Sequence, residues 1–74
     1  MDKETLKYRI EYALDHIHKY DIEVEHIIWS NGEIAIRSKR TDELICFYAG
    51  TGTVRNHDIK GIHNLIQSIE SRVI

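Results

Sequence analysis

The chain has no proline among its 74 residues and only one cysteine, Cys46. The absence of proline argues against extended linkers and fits regular elements joined by short turns. A single cysteine excludes an internal disulfide, so nothing calls for an oxidising compartment. No apolar run approaches the ~20 residues of a membrane span. Met1-Asp2-Lys3-Glu4 is too polar for a secretory signal, so the expected location is cytoplasmic. Charge of one sign is also lacking. A formal net charge of −2 gives no global attraction to nucleic acid, whose binders usually carry a strongly basic face.

What is present is ordinary for a globular domain: 42% hydrophobic and 30% charged residues, with no repeat and no internal boundary. The whole of 1–74 is expected to form one domain. A chain of this size buries only about 60% of its unfolded surface, and such folds often gain burial by oligomerising or docking on a partner.

Residues 3–20 read as an amphipathic helix, with Leu6, Ile10, Ala13, Leu14 and Ile17 on one stripe and Asp2 as N-cap. Residues 22–29 switch to β-branched and aromatic residues. Asn31-Gly32 then predicts a two-residue hairpin turn, followed by strands at 33–39 and 43–49 about a turn at Thr41-Asp42. Gly50-Thr51-Gly52-Thr53 is expected as a flexible loop. Asn56 or Asp58 is expected to cap a second helix, whose stripe runs Ile59, Ile62, Ile66, Ile69 and Val73. The predicted fold is α+β with the order α-β-β-β-α, a three-stranded antiparallel meander with both helices on one face.

Two-residue turns would pair Trp29 with Ile34, Ile27 with Ile36, Ile36 with Phe47 and Ile34 with Ala49. One face then carries Ile27, Trp29, Ile34, Ile36, Ile45, Phe47 and Ala49 as the core side. The opposite face carries Ile22, Val24, His26, Ile28, Ala35, Arg37, Lys39, Leu44, Cys46 and Tyr48, which is too apolar for a simply solvated surface. A β-bulge near His26-Ile27 is the alternative; it would return Ile22 and Val24 to the core. In either register His26, Ile28, Arg37, Leu44, Cys46 and Tyr48 remain as a candidate partner or self-association face.

A second candidate partner surface is the outward stripe Tyr8, Tyr12 and His16, since exposed tyrosines bury large area at low entropic cost. A third is an anion cradle formed by Thr51, Gly52, Thr53 and Arg55 ahead of the second helix, able to hold a nucleotide against Tyr48. It matches neither a P-loop nor a dinucleotide fingerprint.

No catalytic constellation stands out. Cys46 lies mid-strand without a nucleophile motif. His16/His18 and His57/His63 are spaced so that they diverge on a helix, so no metal and no cofactor is expected.

The element order resembles that of double-stranded RNA-binding domains. That family opens its second helix with lysines, whereas Asn56-His57-Asp58-Ile59-Lys60-Gly61 has one lysine and an aspartate, so nucleic acid is not the expected partner. In size, lack of proline and αβββα layout the chain also resembles small phage inhibitors of bacterial defence, including compact anti-CRISPR proteins. Asp21, Glu23 and Glu25 form only a modest acidic cluster. That resemblance therefore implies direct protein docking, or capture of a small nucleotide signal, over DNA mimicry. The function expected is a non-enzymatic binding protein that inhibits a host or defence protein by contact. The alternatives are an oligomeric module that sequesters a nucleotide and an RNA-binding domain.

Overall fold

The computed structural model describes residues 1–39 and 42–72. Helix α1 (Lys3–Ile17) starts at the predicted cap, where the Thr5 N–H donates to the Asp2 carboxylate at 2.7 Å. It ends earlier than expected. The Lys19 and Tyr20 amides donate to the carbonyls of His16 and Ile17, forming a tight turn into the sheet.

The sheet has five antiparallel strands, not three, in the order β1 (Ile22–Ile28), β2 (Glu33–Ser38), β3 (Leu44–Tyr48), β4 (Thr53–Val54) and β5 (His57–Lys60). Helix α2 (Ile62–Glu70) follows. The segment expected to cap and begin this helix is instead β5. Asn56, at φ 65°, sits in the turn of the β4–β5 hairpin, Gly61 is the N-cap, and Ile59 packs on the core from a strand. The Thr41 half of the expected Thr41-Asp42 turn, and Val73 at the end of the helical stripe, lie outside the described residues.

The pairing differs from two-residue turns in both central hairpins. Ile27 faces Ile34, Ile28 faces Glu33, Ile36 faces Ile45 and Ile34 faces Phe47. A β-bulge at Glu25 separates Val24↔Ile36 from His26↔Ala35. The extra residue changes the phase of the strand, so Ile22, Val24 and Ile27 all turn to the core while His26 and Ile28 stay outside. Trp29, expected in the core, is 49% exposed in the turn.

Two hairpins close in the same way. Four residues separate Ile28 from Glu33 and Tyr48 from Thr53. The fourth is a glycine at φ 78° (Gly32) or 77° (Gly52), a conformation that a side chain disfavours. Each glycine N–H donates to the carbonyl that ends the strand, Ile28 at 2.9 Å and Tyr48 at 2.7 Å. The side chain just before the glycine accepts from the amide just after it: Asn31 from Glu33, and Thr51 from Thr53. What reads as a flexible Gly-Thr-Gly-Thr loop is therefore a fixed turn. The two turns are tied together, because the Ala49 N–H donates to the Gly32 carbonyl at 2.9 Å.

Ile10, Ala13 and Ile17 of α1 join Ile62, Leu65, Ile66 and Ile69 of α2 in the same buried cluster as Ile22, Ile34, Ile36, Ile45, Phe47 and Val54. Helix α2 has only nine residues, below the ~12–15 needed for marginal helicity in isolation, so burial of this stripe is what holds it.

Candidate functional site

Two surfaces carry the residues singled out from the sequence, and they differ in character. On the outer sheet face the charged side chains are engaged with one another. Glu33 is 9% exposed and lies between His26 (3.5 Å) and Arg55 (3.4 Å). Arg55 also donates to the Tyr48 hydroxyl and lies 5.7 Å from that ring. The bond to Tyr48, foremost, holds the Arg55 guanidinium above its ordinary pKa. Arg37 pairs with Glu25 at 3.1 Å and with Asp42 at 3.7 Å. At the sheet edge Lys39 pairs with Asp21 at 3.0 Å, and that hydrogen bond raises its pKa.

This face is therefore less apolar than the unbulged pattern implies, since Ile22 and Val24 have left it. Ile28 and Leu44 remain 39% and 46% exposed. They pair with Glu33 and Arg37, four residues apart on β2, or about 13 Å at ~3.3 Å per residue. With His26, Ala35 and Cys46 between those two rows, they do not join into one patch.

The anion cradle is divided. Thr51 and Thr53 share a hydrogen bond at 2.7 Å, Arg55 turns to Tyr48 and Glu33 on the outer face, and Gly52 packs against Gly61 at the border of a different groove.

The second surface lies where α1 crosses the two glycine turns. The Arg9 guanidinium donates to the Gly50 carbonyl at 2.6 Å and pins the helix there. Beside it runs an open groove of about 270 Å³, floored by Ala13, Phe47, Ala49 and Ile62 and bordered by Tyr8, Arg9, Tyr12, Gly52 and Gly61. Tyr8 and Tyr12, expected as an outward stripe, form its wall and remain 66% and 43% exposed. The turns can pass this close to the helix because Gly32 and Gly50 lack side chains at the contact: a Cβ on either would lie 2.8 Å or 3.4 Å from the Leu6 Cδ1.

Tyr12 also begins a ring cluster that continues away from the groove. Its hydroxyl is 2.9 Å from His63 Nε2, its ring meets His16 edge-on at 4.5 Å, and the His16 and His63 centroids are 4.4 Å apart. Burial, then the neighbouring His63 and Lys19, hold His16 below the usual histidine pKa. Spacing within one element gave no hint of this pair, whose members lie on different helices. The groove floor carries no signal for a similar reason: each of its residues reads simply as core.

Among the described residues no helix is long and apolar enough to cross a membrane. No family model, curated protein or solved structure matches the chain.

Proposed function

We propose that the chain is a non-enzymatic binding protein that docks on a protein partner through the groove between α1 and the glycine turns. The observation that carries this is an apolar floor left open beside two exposed tyrosines and a fixed arginine. Tyrosine and arginine around a partly desolvated pocket are the usual makings of an interface hot spot. At about 270 Å³ the groove has room for one large side chain projecting from a partner.

The outer sheet face supports the reading less well, because its charges already satisfy one another. The nucleotide alternative meets the same obstacle: its Arg55 is held by Glu33 and Tyr48. Within this reading the partner is a host or defence protein, inhibited by having its surface covered.

The test is photocrosslinking in cells that naturally make the protein, with p-benzoylphenylalanine replacing either Tyr8 in the groove wall or Leu44 on the outer face. Crosslinks to a discrete protein from position 8 and none from position 44 are expected. Crosslinks from 44 alone would move the interface to the sheet, and none from either would remove protein binding as the function.

A further inference from the structure

We propose that His16 and His63 form a two-nitrogen site for a borderline transition-metal ion, Cu²⁺, Ni²⁺ or Zn²⁺, at the seam between the helices. The rings approach to 4.4 Å between centroids at an interplanar angle of 69°. They project from helices locked in place by neighbours with almost no exposure: Ile17 at 0% beside His16, and Ile62 and Leu65 at 5% and 0% around His63. The core thus fixes the two helices that bring these rings into contact.

Tyr12 supplies the outer support that a ligating histidine normally has. With the proton on His63 Nε2 donated to the Tyr12 hydroxyl 2.9 Å away, Nδ1 is left as the lone-pair donor. His16 is half-buried against the same seam. Beside both rings lies an open depression of about 230 Å³, also bordered by Tyr20, Gln67 and Glu70, with room for an ion and its water. Among the described residues no third His, Cys, Asp or Glu completes a ligand group with the pair. Water therefore fills the remaining positions, and imidazole nitrogen selects Cu²⁺, Ni²⁺ and Zn²⁺ over Mg²⁺ or Ca²⁺, with Cu²⁺ held most tightly.

The experiment is titration of the full chain with Cu²⁺ and Zn²⁺ by calorimetry, with electron paramagnetic resonance of the Cu²⁺ form. One equivalent should bind, with nitrogen coupling from two imidazoles. His16→Gln and His63→Gln should each weaken binding at least 10-fold, and Tyr12→Phe about 10–100-fold as an outer-support loss. His18→Gln and His57→Gln should change nothing.

Carbethoxylation of the unaltered chain, mapped by mass spectrometry, keeps the test independent of variant folding. One equivalent of Zn²⁺ should shield His16 and His63 and leave His18 and His57 reactive. Wild-type affinity in His16→Gln or His63→Gln, shielding at other histidines, or no saturable binding would overturn the proposal.

Discussion

Removing one residue from a β-strand ordinarily turns every side chain beyond it to the opposite face. The bulge makes Glu25 an exception. Without it, His26 still faces Ala35 and Val24 still faces Ile36, so Ile22 and Val24 stay in the core. The loss is the ion pair with Arg37, half exposed and worth up to ~1 kcal/mol, plus some local twist. Deleting Glu23 instead forces Ile22, 7% exposed, out of the core, at roughly 1.5–3 kcal/mol. Both deletions shorten the link to α1 equally, so that cost cancels in the comparison. The total stability for this size is about 4–11 kcal/mol, from ~0.05–0.15 kcal/mol per residue, so the difference is large enough to measure. Urea unfolding of the two deletions should place the midpoint of the Glu23 deletion clearly below that of the Glu25 deletion, at similar m. Equal midpoints, or a worse result for the Glu25 deletion, would refute the assigned register.

Two further outcomes follow from local geometry. Gly32→Ala and Gly52→Ala should each cost about 1–2 kcal/mol for the left-handed backbone, and Gly32→Ala should cost more because its methyl meets Leu6; thermal melts that leave either variant at wild-type stability would show that the turns relax freely. The Asp2 carboxylate, held below its ordinary pKa by the Thr5 amide, stabilises the fold fully above the unfolded value and loses that contribution as pH falls through the folded one. The gap in melting temperature between wild type and Asp2→Ala should therefore be present at neutral pH and shrink as the pH falls through and below the ordinary aspartate range. A gap independent of pH would mean that the carboxylate charge plays no part.

Much of the fold was legible because it is written in periodicity. The Leu6–Ile17 stripe, the Asp2 cap and the alternation of Ile34, Ile36, Ile45 and Phe47 each carry a local signal. Strands β4 and β5 carry almost none: Val54 and Ile59 are their only large apolar residues, and Asn56, which turns the hairpin at positive φ, equally resembles a helix cap. The bulge at Glu25 was legible only as an alternative, since nothing in Val24-Glu25-His26 marks which residue is extra. Trp29 leaves the core because the glycine closing its turn is the fourth residue of the loop, not the second. The site was legible in part. Tyr8 and Tyr12 are outward residues of a helix and could be seen as such. The pairing of His16 with His63 joins residues far apart in the chain, and only the packing of α2 against α1 brings them together.

The central claim, that the open surface at the glycine turns is the docking site, can be tested without knowing the partner. Indole, added at millimolar concentration to the isotope-labelled protein, serves as a minimal stand-in for an aromatic anchor. The amide signals of Ala13, Ala49, Gly52, Gly61 and Ile62 should shift together and saturate along one binding curve. Shifts centred on His26, Ala35 and Cys46, with the groove signals unmoved, would contradict the account.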